Sequence, residues 1–238
     1  MDRNRCRMFF FKKNNAVSNT NTLVARGKRV ILVIGGSGVL GRAFFEKKPG
    51  GVFIVNISRR GELFGEGVFN FNHDIRKRPE LVLQKVSKTV GMVDVLVTMA
   101  YDHAFSSIKN LEREQFLHEV ELDTFIPMHI SKLCGEIFWS KNSRENNIKN
   151  RRKAIHLGSG AAFGKTLRPE LASYSGAKAA LTIMSEYLHD YLYSGKGVSA
   201  HVVAPGSLDV PEIKKQTVET LWKLQDMAVD RFTLNKVY

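Results

Sequence analysis

The apolar positions of the chain fall into two alternating kinds of run. Val30-Ile31-Leu32-Val33-Ile34, Val52-Phe53-Ile54-Val55-Asn56-Ile57, Met92-Val93-Asp94-Val95-Leu96-Val97, Ala154-Ile155-His156-Leu157-Gly158 and Ser199-Ala200-His201-Val202-Val203 are short and rich in β-branched residues. That is the pattern of strands buried on both faces. Val68-Phe69-Asn70-Phe71 adds a shorter strand. Between them, residues 42–46, 76–90, 108–139, 172–194 and 212–229 predict helices, with two helical patterns inside 108–139. Alternation of this kind predicts βαβ units, hence an α/β fold with a doubly wound parallel sheet and helices on both faces. At 238 residues and 43% hydrophobic content the chain can bury one good core. A single domain over residues 29–238 is expected, preceded by an extension at 1–28.

The sharpest local chemistry follows the first strand. Gly35-Gly36-Ser37-Gly38-Val39-Leu40-Gly41 comes directly after it, and residues 42–46 continue as helix. In that context G-x-G-x-x-G (Gly36, Gly38, Gly41) suits a dinucleotide pyrophosphate, because glycines permit a tight turn, close backbone approach and close helix packing. The second strand ends at Ser58-Arg59-Arg60. Guanidinium groups there suit the 2′-phosphate of NADP(H), whereas a carboxylate would suit the bare ribose of NAD(H). Two solvated arginines in a turn are the alternative. Further on, Tyr174 and Lys178 share one face at the start of a helix. An ammonium beside a phenol favours its ionised form, which makes the phenol a usable acid and base.

Charge narrows the partners. The net charge is +13, and residues 1–29 carry eight basic side chains against Asp2 alone. This asparagine-rich start predicts a basic disordered extension on a cytoplasmic protein, with organelle targeting left open. No run of 18 apolar residues is present, so no membrane span is expected. Cys6 and Cys134 lie far apart and the seven histidines are scattered, which predicts neither a disulfide framework nor a metal site. The basic cluster from Lys141 to Lys153 predicts a solvated loop. It lacks interleaved aromatic residues or a recognition motif, so no nucleic-acid partner is expected.

In chain order, the glycine turn, the arginines after the second strand, Asp74, Ser159, Tyr174 with Lys178, and Pro205-Gly206 resemble the short-chain dehydrogenase/reductase superfamily over residues 30 to about 212. The resemblance implies a Rossmann-like domain binding NADP(H), with NAD(H) as the alternative. It implies cofactor contacts from Gly35, Gly36, Ser37, Gly38, Leu40, Gly41, Ser58, Arg59, Arg60, Asp74 near adenine, Ala100, Pro205 and Gly206, besides Tyr174 and Lys178. Tyr174 would give a proton to a carbonyl oxygen. Lys178 would bind the nicotinamide ribose and lower the tyrosine pKa, and Ser159 would hydrogen-bond the substrate. The implied partners are a small carbonyl compound and further copies of the chain. The dimer or tetramer would use helices at residues 112–137 and 172–193, where Ala177, Ala180 and Leu181 suit close contact.

Three positions depart from that family's pattern. Thr98-Met99-Ala100-Tyr101 stands where asparagine-alanine-glycine is usual, and Asp123 stands where many members place an asparagine that supports a proton relay. Ser159 precedes Tyr174 by fifteen residues, longer than is common. The G-G-x-G-x-L-G turn, Pro169, and Ser207-Leu208-Asp209-Val210-Pro211 are similar to the dihydropteridine reductase branch. That similarity implies a quinonoid dihydropterin as an alternative to a ketone, although the arginines after the second strand speak against it. Residues 212–229 predict a substrate lid (Ile213, Val218, Leu221, Trp222, Leu224), and Tyr101, His103, Phe163, Leu167 and Trp222 are candidate pocket residues. Only Phe232-Thr233-Leu234 offers a final strand, which predicts an incomplete sheet edge. The competing expectation is a nucleotide-binding scaffold that has lost its chemistry.

Overall fold

The computed structural model describes residues 25, 27–60, 63, 65–102, 105–164 and 168–238. Most of the basic extension, with Cys6, and the pocket candidates His103 and Leu167 lie outside the described residues. Seven strands form one parallel sheet in the order β3-β2-β1-β4-β5-β6-β7. They are β1 (Arg29–Ile34), β2 (Val52–Ser58), β3 (Val68–Asn72), β4 (Val95–Thr98), β5 (Lys153–Leu157), β6 (Ser199–Pro205) and β7 (Thr233–Val237). The chain runs outward from β1 to β3, returns to the other side of β1 at β4, and then runs outward to β7. The connections after β1 and β4 therefore leave toward opposite faces of the sheet, and the crevice expected at the carboxyl ends of these strands is the usual ligand site of such sheets.

Helices cover both faces because successive strand residues point to opposite sides. On one face α2 (Pro79–Val90), α4 (Ile126–Ile137) and α6 (Ala172–Lys196) bring Leu83, Ile130 and Leu192 onto Leu32, Val55 and Leu96. On the other, α1 (Val39–Glu46) and α7 (Pro211–Asp226) bring Phe44 and Leu221 onto Ile31, Val33 and Val97. Each fully buried aliphatic side chain of this kind contributes about 1.5–3 kcal/mol. Helix α3 (Arg113–Val120) packs on α6 and joins α4 through one π-helical turn, Glu121–Phe125. Polar Asn56 is fully buried within β2 because its amide is satisfied: Gly36 N donates to Oδ1 at 3.0 Å, and Nδ2 donates to Asn70 Oδ1 at 2.9 Å.

Several expectations change. The segment at 212–229 is no lid: α7 is a layer helix whose Val218, Leu221 and Leu224 are buried against the sheet. Trp222 stacks on Phe44 with ring centroids 4.0 Å apart and donates to the Phe44 carbonyl, so it packs α7 on α1. The final strand is longer than residues 232–234 offered. β7 pairs with β6 from His201↔Thr233 to Pro205↔Val237, occupying the edge that was expected to be incomplete. Ala177 and Leu181 do not face outward either, being 1% and 0% exposed on the inward stripe of α6. Ala180, the third of those residues, is exposed, as are the large apolar residues Ile183, Met184, Tyr187 and Tyr191 of that helix.

The solvated loop at 141–153 is replaced by a short helix, α5 (Arg144–Lys149), and a buried basic end. Lys153 opens β5 at 1% exposure and donates to the Leu224 and Met227 carbonyls at the end of α7. Carbonyls left over at a helix end take such a cation readily. Burial, with Arg29 and Arg151 nearby, still pulls the Lys153 ammonium down to about 8. Between that value and the unfolded one the unfolded chain binds more protons, so this residue's contribution to stability rises with pH. Denaturant midpoints should therefore move in favour of the parent over Lys153→Met between pH 7.5 and pH 9.5. A constant difference would show that Lys153 does not titrate there.

Candidate active site

The glycine turn is shaped by contacts that only glycine allows. Gly35 has φ +88°, and a Cβ there would lie 2.5 Å from Ala100 Cα, so the turn after β1 rests directly on the segment after β4. A Cβ on Gly41 would run into the Gly36 carbonyl, which brings α1 close beneath the turn. Gly38 differs. Nothing lies nearer than 3.6 Å to its Cβ position, so no protein atom requires glycine there. Gly38 also caps α1 without a side-chain hydrogen bond, and the first turn of α1 holds no acid. Open space beside uncapped N–H groups at a helix start fits a diphosphate. Leu40 is buried beneath the turn, while Ser37 is half-buried and its carbonyl accepts from Arg42 Nε at 3.0 Å.

Tyr174 and Lys178 stand on the first turns of α6 beside this crevice. The Lys178 Nζ lies 5.8 Å from the Tyr174 ring centroid, and edge contacts from Tyr101 and Phe105 hold the ring at 5.8 and 5.3 Å. Lys178 donates to the Leu157 carbonyl at 3.0 Å and meets Asp123 Oδ1 at 2.9 Å. The latter contact is a buried ion pair. Burial pulls the Lys178 ammonium down, but Asp123 and Tyr174 more than offset it, so it sits above the usual lysine value. Beneath it, His156 is fully buried, accepts or donates at Thr98 Oγ1 (2.8 Å), and is pulled down to about 3 by burial and by Lys178. A neutral imidazole thus lies near the Lys178 ammonium.

These observations meet their counterpart in comparisons with known proteins. Residues 29–222 match the family model described as short chain dehydrogenase. The chain belongs to the short-chain dehydrogenase/reductase family. It is 27% identical over 184 residues to the 3-oxoacyl-(acyl-carrier-protein) reductase MabA of Mycobacterium avium, covering 76% of this chain and 68% of that protein. A 3-oxoacyl-(acyl-carrier protein) reductase from Brucella melitensis superposes with a TM-score of 0.73 at 18% identity, over 88% of this chain and 95% of that one. A short chain dehydrogenase from Leptospira borgpetersenii serovar Hardjo-bovis with bound NAD+ superposes with a TM-score of 0.71 at 14% identity, over 99% and 98%. The seven-stranded parallel sheet is the Rossmann-like sheet of short-chain dehydrogenases, and the chain is an NAD(P)-dependent oxidoreductase of that type.

Within this short-chain dehydrogenase the other expected residues fall around the same crevice. Ser159 follows β5 and its Oγ accepts from Ala161 N at 3.2 Å, capping a short 3-10 turn that packs on α6. Pro205 ends β6, and Gly206 N donates to the Val237 carbonyl, tying the end of β6 to β7. Ser58 is buried at the end of β2, and Arg59 and Arg60 are exposed just beyond it. Asp74 lies beyond β3, where Arg76 takes both of its oxygens at 3.0 and 2.7 Å and holds its carboxyl down at about 2. What faces this end of the crevice is therefore an Asp74–Arg76 pair rather than a lone carboxylate.

Four further residues lie around this candidate site and gave no sequence signal. Asn56 anchors the glycine turn, and His156 lies beneath Lys178. Asp102 pairs with Arg59, and Glu119 lies one helical turn before Asp123. Glu119 is 3% exposed, and neither carboxylate oxygen has a hydrogen-bond partner among the described residues. Burial pushes its carboxyl above the usual range, with Asp123 adding to the rise. All four are common residue types in unremarkable sequence settings, and only the sheet brings them together. A separate cavity lined by Arg151, Lys153, Tyr193 and Asp230 opens at the amino-terminal ends of β5 and β6, the opposite edge from this crevice. No helix of the described residues is long and apolar enough to cross a membrane.

Proposed function

We propose that this short-chain dehydrogenase is an NADP(H)-dependent reductase of a small carbonyl compound, with Tyr174 as the proton donor. The observation that carries the reading is the Tyr174 ring at the open end of the sheet with the Lys178 ammonium 5.8 Å from its centroid. When bound, reduced nicotinamide supplies the hydride. The uncapped N–H groups of the first turn of α1, beside the open space at Gly38, would hold the diphosphate, Arg59 and Arg60 would face a 2′-phosphate, and Pro205 and Gly206 would border the nicotinamide end. The Tyr174 hydroxyl donates a proton to the substrate oxygen as that oxygen gains negative charge. Lys178 would keep a positive charge near the phenol and would hold the nicotinamide ribose. Ser159 Oγ accepts from Ala161 N and so retains its own proton to donate to the same substrate oxygen. Tyr101 and Phe105 pack edge-on against the phenol ring and help to orient it.

A ketone is favoured as substrate because two of the proteins this chain resembles are named 3-oxoacyl reductases. A quinonoid dihydropterin is the imine-like alternative. A second reading, cofactor binding without turnover, draws on the Asp123–Lys178 pair, in which a buried carboxylate already balances the ammonium that would act on the phenol. The exposed apolar residues Ile183, Met184, Tyr187 and Tyr191 of α6 suit a dimer or tetramer of this chain. The deciding measurement follows NADPH oxidation across 3-oxoacyl thioesters, simple ketones, quinones and quinonoid dihydropterin. Oxidation with a ketone is expected. Tight NADPH binding with no oxidation by any of them would establish the second reading instead.

A further inference from the structure

The geometry points to Asp102 as the residue that sets the cofactor's phosphate preference, by holding the Arg59 guanidinium in the place a 2′-phosphate would take. The assignment rests on the reading of this crevice as an NADP(H) site. Arg59 follows β2 and Asp102 follows β4, the two strands that flank β1. A bond between them must therefore pass across the carboxyl end of β1, above the glycine turn. Arg59 Nη2 and Asp102 Oδ2 are 3.1 Å apart, with the two side chains 34% and 30% exposed. His118 Nε2 lies 3.7 Å from the same carboxylate oxygen, and His118 Nδ1 lies 3.4 Å from Arg76 Nη1. One carboxylate thus sits among donors suited to a dianionic phosphate.

The consequence is a competition between two anions for one guanidinium. A nucleotide with a bare ribose leaves the Arg59–Asp102 pair in place. A 2′-phosphate must displace Asp102 and then lie beside its charge. The half-exposed pair is weak enough to open, since such pairs shift an equilibrium by no more than about fivefold. Like-charge repulsion between the displaced carboxylate and the phosphate adds to that factor. Asp102 therefore lowers affinity for phosphorylated nucleotide and leaves the unphosphorylated one nearly unaffected. Sequence inspection of Ser58-Arg59-Arg60 alone assigns the preference wholly to the arginines.

Equilibrium binding of NADPH, NADH, 2′,5′-ADP and 5′-AMP to the parent, Asp102→Asn, Arg59→Ala and the double variant tests the assignment without any turnover. Asp102→Asn should tighten NADPH and 2′,5′-ADP by roughly 5- to 20-fold and change NADH and 5′-AMP by less than about twofold. The gain should vanish when Arg59→Ala is added. Weaker NADH binding by Asp102→Asn would show that Asp102 grips the ribose hydroxyls itself, and an unchanged NADPH-to-NADH ratio would show that the pair is a surface contact; either result overturns the assignment alone. If no variant binds any of the four ligands, the NADP(H) reading of the crevice fails and takes this assignment with it.

Discussion

Tyr174→Phe should lower turnover with the best ketone by about 10²- to 10⁴-fold, the range that a positioned general acid supplies. The ring stays, so its edge contacts with Tyr101 and Phe105 at 5.8 and 5.3 Å survive, and the cation over its face remains Lys178. NADPH affinity should therefore change by less than about twofold, because uniform binding is untouched when only a transition-state interaction is lost. The expected signature is a fall in kcat at nearly constant cofactor affinity, read by stopped-flow turnover beside fluorescence titration of NADPH. Equal turnover in the parent and in Tyr174→Phe would remove the phenol from the mechanism. A parallel loss of NADPH binding would mean that the phenol holds the cofactor.

Lys178→Met should destabilise the fold by about 3–5 kcal/mol, the cost of leaving one partner of a buried ion pair without the other. Lys178 and Asp123 are 5% and 3% exposed at their side chains, so water cannot take over the solvation of an abandoned Asp123 carboxylate. Asp123→Ala strands Lys178 in the same way, though the Leu157 carbonyl still accepts one of its N–H groups. Because the folded Lys178 value is raised above 10.5, the stabilisation from the pair is fully present below that pH and is lost only as pH rises through the folded value. Combining Lys178→Met with Asp123→Leu should recover much of the stability, since an apolar pair of similar volume often replaces a buried ion pair at little cost. Denaturant midpoints of the four proteins check this. A double variant no more stable than either single one would show that the two residues do not act as a pair.

Several features of the chain are decided by local sequence alone. The β-branched runs at 30–34, 52–57 and 199–203 can only be strands buried on both faces, and the glycine turn between the first run and α1 carries its own reason, because Gly35 takes φ +88° and Gly41 abuts the Gly36 carbonyl. The four-residue spacing of Tyr174 and Lys178 fixes one helix face whatever surrounds it. Other features were invisible for a stated cause. The apolar stripe of residues 212–229 is the same whether a helix covers a pocket or a sheet, and only the position of α1 and its Phe44 made Trp222 a packing residue. Lys153 read as solvent-facing because a lysine usually is, and the end of α7 lies 71 residues further along the chain.

The sequence by itself determined a parallel α/β sheet, a glycine turn suited to diphosphate, and a phenol–ammonium pair, because the alternation of runs, the glycine spacing and the four-residue spacing are each written in the local order of residue types. Tertiary structure alone decided what those groups answer to. The crossing from β3 over to β4 on the far side of β1 set Asp102 against Arg59, and α3 with its π turn delivered Asp123 to Lys178 across 55 positions of sequence. Charges on separate elements carry no periodicity that marks them as partners, and only the sheet order brings them within 4 Å.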